Sequence, residues 1–203
     1  VTNADNGTEM ITSRFMQWAG RPGLDRVIIV NKIDAENVNL PKLLDQIQDT
    51  FGKECLPLNL PADGAKKVSD CFFAPSGESD FSSVEEAHRK LVDQVVEVDE
   101  KLMEVYLEKG EVEPDQLHDP LERALREGHL VPVVFTSART GAGIAELLDV
   151  IVKLLPNPTE GNAPVYVNVA SDGKATELTA VPDPANKHAL AHVIKIEIDP
   201  YIG

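Results

Sequence analysis

Two cysteines in 203 residues leave little room for redox or metal chemistry. Cys55 and Cys71 fit no Cys-x-x-Cys spacing, so the expectation is two reduced, buried or half-buried thiols of a cytosolic protein. Basic residues are also in short supply. Nineteen Lys and Arg stand against 34 Asp and Glu, for a formal net charge of -15. Independent binding to a nucleic-acid backbone is therefore not expected, because neutralising phosphates takes Lys and Arg. The excess acid favours solubility and basic partners. No apolar run approaches the ~20 residues of a membrane span, and the chain opens with no charged-then-apolar signal segment. It starts Val-Thr-Asn without Met, which predicts a piece cut from inside a longer protein. Internal repeats, low-complexity tracts, a Ser-His-Asp signature and paired catalytic carboxylates are all missing. His188 and His192 have a four-residue spacing that invites a metal, but no third ligand lies near them in sequence, and the expectation is two half-exposed positions leading into a strand.

What remains is an ordinary globular composition, 42% hydrophobic and 26% charged, enough for one core or one core and a smaller unit. Residues 1–4 read as the end of a strand and Asp5-Asn6-Gly7 as a turn. Residues 8–19 read as a helix with Ile11, Phe15 and Trp18 on one face. The β-branched run 26–30 reads as a strand covered on both faces. This β-α-β order predicts an α/β fold with a parallel sheet. Leu40, Leu43, Leu44, Ile47 and Phe51 mark the next helix. Residues 55–60 alternate like one short strand, which Pro57 assigns to a sheet edge, and 68–74 is a second candidate strand.

Ser83-Val84-Glu85-Glu86 fits a capping box, and an apolar stripe predicts one long helix over 84–109. Its many acidic residues predict a solvated face or a docking surface for a basic partner. A helical turn at 114–117 and a separate helix starting at Asp119-Pro120 follow. The strand 130–135 contains Pro132, which argues mildly against a central position. Gly141-Ala142-Gly143 leads into a last helix whose face is Ile144, Leu147, Leu148 and Ile151. After the linker 159–164, the stretches 166–169, 177–181 and 191–198 read as strands of a separate β unit.

Two strand ends carry the chemistry. The run 27–30 passes directly into Asn31-Lys32-Ile33-Asp34, and 133–135 into Thr136-Ser137-Ala138. Asn-Lys-x-Asp alone is a weak signal, matched by chance in about one chain in forty of this length. At the end of a parallel strand, where open α/β sheets bind ligands, it is stronger. The Asp34 carboxylate can accept from both N1–H and the 2-amino group of guanine. Adenine offers neither and would leave the carboxylate desolvated. The Lys32 stem can lie on the base face, and the Asn31 amide can tie neighbouring loops together or reach N7. A backbone N–H near Ala138 can donate to guanine O6, Ser137 can orient the Asp34 loop, and Arg139 can cover the other face of the base.

With these motifs in place, the chain resembles bacterial elongation factor G, or an elongation-factor-G-like paralogue, among the translational GTPases. The resemblance rests on Asn31-Lys32-Ile33-Asp34, on the Val-Pro-Val-x-x-x-Ser-Ala form of the second strand, on Leu147-Leu148-Asp149 through Leu155-Pro156-Asn157-Pro158, and on the final stretch 192–203. It implies a P-loop-GTPase-type parallel sheet (its C-terminal half), an inserted α+β subdomain and the first strands of a β-barrel domain. The implied division is 1–34 (G-domain part), 35–129 (inserted subdomain and flanking helix), 130–158 (end of the G domain) and 159–203 (linker and start of the barrel). The guanine-binding residues would be Asn31, Lys32, Asp34, Ser137, Ala138 and Arg139, with GTP or GDP as ligand. The implied setting is cytoplasmic, with the ribosome and, through the insert, its stalk protein as partners. The region 62–81 is short and irregular for the translocase, which tilts the expectation towards a paralogue.

No Gly-x-x-x-x-Gly-Lys-[Ser/Thr] occurs to cradle phosphates and hold Mg2+. Gly141-Ala142-Gly143 is no substitute, since it lacks the Lys. The Mg2+ site and the catalytic segment are accordingly expected upstream of Val1. The parent would hydrolyse GTP in translocation or recycling, and this piece would not hydrolyse it alone. Two alternatives remain open: a docking module that uses the acidic insert with negligible nucleotide affinity, or a different α/β nucleotide enzyme.

Overall fold

A computed structural model describes residues 1–20, 24–110, 112, 114–157, 165–179, 185, 191, 193 and 195–197. The chain divides into two compact units, Val1–Asn157 and Pro158–Gly203.

In chain order the first unit begins with β1 (Thr2–Asn3), α1 (Met10–Gly20), β2 (Ile28–Asn31), α2 (Leu40–Phe51) and β3 (Cys55–Pro57). A hairpin follows, β4 (Asn59–Ala62) and β5 (Lys67–Asp70), then α3 (Val84–Val96), α4 (Glu100–Lys109) and α5 (Pro114–Glu127). The chain returns through β6 (Val131–Phe135) and ends the unit with α6 (Ile144–Lys153). β1, β2, β6 and β3 form one parallel sheet in that order. β6 is its fully buried centre. A strand screened from water on both faces must be apolar throughout, and 131–135 is Val-Pro-Val-Val-Phe.

Pro132 does occupy a central strand, at its start. Val131 donates to the Glu54 carbonyl on the β3 side. Successive N–H groups face opposite neighbours, so the donor that proline lacks would face β2, whose pairing starts only at Ile28 opposite Val133. The helices close by local chemistry. Asn39 caps α2 by accepting from the Lys42 N–H at 3.0 Å, and Leu40, Leu43 and Ile47 bury one face. Ser83 caps α3 through the Glu86 N–H.

Several expectations need correction. The single helix 84–109 is two. The Asp99 carboxylate takes the Lys101 and Leu102 N–H groups, starting α4 afresh, and Arg123 holds the break by donating to the Val98 carbonyl at 3.1 Å. The apolar stripe runs on through the break, so periodicity alone does not reveal it. Conversely, the turn and helix expected on either side of Asp119 are one helix, α5, with Pro120 inside it. Leu117, Leu121, Ala124 and Leu125 are all buried, and their burial outweighs the one hydrogen bond that proline removes.

Residues 55–60 are not one strand. The chain leaves the sheet at Leu58, whose N–H donates to Val133 and whose carbonyl accepts from Cys71. β3 does lie at a sheet edge, as Pro57 implies. β5 stops at Asp70 because that carboxylate gathers the N–H groups of Phe72, Phe73 and Ala74. In α1 the stripe Ile11, Phe15 and Trp18 is exposed, with Phe15 and Trp18 edge to face at 5.7 Å. In α6 the buried residue is Val150, with Leu154 buried just past the helix end, whereas Leu148 and Ile151 are exposed, so the core-facing side is rotated from the expected one. Both thiols are buried, and burial pushes each up to about 12.

In the second unit β7 (Val165–Val169) and β8 (Ala175–Thr179) form an antiparallel hairpin. Its turn is closed by the Asp172 carboxylate accepting from the Lys174 N–H at 3.0 Å. The linker 159–164, His188, His192 and positions 194 and 198 of the expected strand 191–198 lie outside the described residues; the positions of that stretch that are described, Ala191, Val193 and 195–197, are in no strand. Among the described residues no helix is long and apolar enough to cross a membrane, and no three His, Cys, Asp or Glu side chains are placed to share a metal ion.

Asn59 ties the β4–β5 hairpin to the central strand. Only 2% exposed, it accepts from the Phe135 N–H at 2.7 Å and donates to the Phe135 carbonyl at 3.1 Å. Asn59→Ala leaves both groups buried and unpaired, and should lower stability by about 2–3 kcal/mol in urea unfolding with an unchanged slope. A loss below about 0.5 kcal/mol would show that this bridge does not anchor the hairpin.

Candidate functional site at the carboxyl ends of the central strands

Strand burial dictates where polar chemistry can stand. β6 is covered along its length, whereas β2 is buried only at alternate positions and lacks the cover on both faces expected of 26–30; functional side chains collect where the two strands stop. Val30 pairs with Phe135 at the last register position. Beyond it two hydrogen bonds continue the pairing into the loops, Thr136 N–H to the Val30 carbonyl at 2.8 Å and Ile33 N–H to the Thr136 carbonyl at 3.2 Å. Ile33 and Thr136, both buried, hold the two loops in place.

All six residues singled out from sequence meet here. Lys32 takes a left-handed conformation, φ 63°. This turns the chain, and the Ala35 N–H closes back on the Lys32 carbonyl at 3.0 Å. The Lys32 ammonium lies 3.7 Å from the Asp5 carboxylate. The Asn31 side-chain oxygen accepts from the Ala138 N–H at 3.0 Å, the tie between loops expected of it. Ser137 is fully buried, and its hydroxyl donates to Asp34 Oδ1 at 2.5 Å while accepting from the Thr140 N–H at 3.1 Å. Arg139 donates to Asp34 Oδ2 through Nε at 2.6 Å and also through Nη2. Two details differ from expectation. The Ala138 N–H is engaged by Asn31, and Arg139 turns onto the carboxylate instead of standing free.

Sequence reasoning misses three contributors. Asp5 reads as a turn residue; its place just after β1, next to β2 in the sheet, is the available signal. Thr136 bridges both loops through its backbone, which no side-chain motif reports. Gly143 reads as a helix lead-in, yet at φ 73° a Cβ there would come within 2.2 Å of the Phe135 carbonyl. The Ser137 loop folds tightly against the strand end because that position is glycine. The resulting arrangement offers one enclosed carboxylate as acceptor, flanked by an amide, a lysine stem and a backbone turn. That donor and acceptor set fits a planar ligand edge with adjacent N–H groups.

The Asp34 carboxyl is held below the usual aspartate value, chiefly by the Ser137 hydrogen bond; burial opposes this and Arg139 adds to it. A lowered folded-state value means stability that is present above the unfolded value of about 3.9 and lost as pH falls through the folded one. The gap in urea midpoint between the native chain and Asp34→Asn should therefore narrow steadily from about pH 6 to about pH 2. A gap constant over that range would show that the carboxylate contributes nothing through its charge.

Residues 1–157 match the family described as elongation factor Tu GTP binding domain. Curated relatives from two strains of Mycobacterium tuberculosis, each described as an elongation factor G-like protein, are 31% identical over 221 positions, covering 100% of this chain and 30% of each relative. A crystal structure of a Thermus thermophilus protein superposes with a TM-score of 0.67 at 30% identity, over 83% of this chain and 29% of that one. The chain thus spans less than a third of the length of the relatives it matches.

Proposed function

Since the chain belongs to the elongation factor Tu GTP-binding domain family of translational GTPases, with its P-loop-GTPase-type parallel sheet, we propose that the Asn31–Asp34 and Ser137–Arg139 loops recognise the guanine of GTP and GDP. The supporting observation is Asp34, a carboxylate at the end of a central parallel strand, oriented by a fully buried Ser137 from the neighbouring strand. Asp34 accepts from guanine N1–H and its 2-amino group. The Lys32 stem packs on the ring, the Asn31 amide nitrogen reaches N7, and the Ala138 N–H, held by the Asn31 side-chain oxygen in this structure, is shared with O6 when the base binds. Adenine meets an enclosed carboxylate with no donor to give it, which costs far more than a lost contact in water.

The sequence contains no Gly-x-x-x-x-Gly-Lys-[Ser/Thr] motif, and the part assigned to its residues is base selection. Phosphates and Mg2+ are assigned to other parts of a longer protein. That protein, like the elongation factor G-like relatives, would couple GTP hydrolysis to translocation or recycling on the cytoplasmic ribosome. The inserted region supports a second reading, as a docking module for a basic face of the ribosomal stalk. Glu85, Asp93, Glu97, Glu100, Glu104 and Glu108 are at least partly exposed along α3 and α4, although such faces are also ordinary solvated surface.

Calorimetry decides between these readings. GDP should bind at least about a hundredfold more tightly than ADP. Asp34→Ala should abolish the GDP signal, and Asp34→Asn should exchange guanine for xanthine preference, because it inverts the hydrogen bonding at the base. Equal affinity for ADP and GDP, or no gain of xanthine binding, would overturn the guanine assignment. No heat with any nucleotide, alongside saturable binding of a stalk protein, would favour the docking reading.

A further inference from the structure

Asp34 is 12% exposed, whereas its partner Arg139 is 78% exposed. The bonds to the two carboxylate oxygens are unequal. Oδ1 accepts one, from Ser137. Oδ2 accepts two, from Arg139 Nε and Nη2. Each carboxylate oxygen has room for about two donors; the side-chain donors fill Oδ2 and leave Oδ1 the less occupied of the two, with the Asp34 backbone N–H also donating to the carboxylate.

The chemical identity of that partner matters. A guanidinium is a planar N–C–N unit with parallel N–H donors. The N1–H, C2 and 2-amino group of guanine are the same unit closed into a ring, and adenine has no such edge. We propose that Arg139 is an internal placeholder for the base: its guanidinium occupies Asp34 Oδ2 when no guanine is bound, and the base must displace it. This rests on the guanine reading above and adds to it a competitor built into the chain. The placeholder keeps an enclosed carboxylate charged and hydrogen-bonded in the free protein, so Asp34 remains poised as an acceptor. Ser137 need not move, because the second lone pair of Oδ1 can take the second donor of the base. Arg139 leaves at little cost, since its side of the pair already faces water.

Guanosine tests this cleanly, because it is neutral and brings no phosphate to confuse the salt dependence. Its affinity would be measured by protein-detected NMR titration for the native chain, Arg139→Gln and Arg139→Lys, with adenosine as control. Exposed ion pairs are weak, so Arg139→Gln should bind guanosine about two- to fivefold more tightly at low salt, with Arg139→Lys between the two. Raising the salt from about 0.01 M to about 1 M shortens the screening length from about 30 Å to about 3 Å. The native affinity should rise over that range by about the same factor, while Arg139→Gln stays flat. The Arg139 Nε–H resonance should shift with guanosine and not with adenosine.

Equal or weaker binding by Arg139→Gln would overturn the placeholder, as would a native salt response no larger than that of the variant. If guanosine binds no better than adenosine to any of the three proteins, the guanine assignment itself fails and the placeholder fails with it.

Discussion

The arrangement of this molecule depends on β6 lying between β2 and β3. Chain order alone would set β3 beside β2, and the Asn31–Asp34 loop would then face a proline-bearing edge strand. Instead the return strand enters the centre, and Thr136 exchanges backbone hydrogen bonds with Val30 and Ile33 past the last paired residues. Those two bonds make one site from two loops that are far apart in sequence. They also explain why the polar residues stand where they do. β6 is shielded along its length and β2 at alternate residues, so the first place a carboxylate can stand beside both without being stranded in the core is the point where pairing ends.

Between β3 and β6 the chain builds a hairpin and three helices, and they are not an appendage. Leu58 bonds across to Val133, Asn59 grips Phe135 from both sides of its peptide, and the buried faces of α3 and α5 belong to the same hydrophobic cluster as β2 and β6. Gly143 approaches the Phe135 carbonyl as well. Phe135 is thus a point where hairpin, sheet and site loop converge. The acidic residues of α3 and α4 lie outside this cluster, so the stretch between β3 and β6 contributes rigidity inward and charge outward.

Much of this was legible in the residues. Apolar runs ending in Asn-Lys-x-Asp and Ser-Ala mark strand ends, because burial of all of β6 and of alternate residues of β2 keeps polar side chains out of the core. What escaped detection was decided by competition for backbone groups. Asp99 and Asp70 end elements by capturing N–H donors, which no hydrophobic period registers. Pro120 reads as a helix start locally, yet four buried residues around it hold one continuous helix. The orientation of Arg139 depends on which carboxylate has an unclaimed oxygen, and that is set by a residue more than a hundred positions away. The exposure of the α1 stripe is likewise invisible to periodicity, which identifies an apolar face but not what lies against it.

The placement of β6 also sets an order of events in time. Chains are made at about 5–20 residues per second, so β6 follows β2 by about 5–20 s. Contacts of such long range form late, because the loop between them must be closed first. Throughout that interval Asp34 exists without Ser137 or Arg139, and the two loops share no site. A ligand that spans both loops can therefore act only on the finished sheet. It would stabilise the product of folding by mass action and could not guide its course.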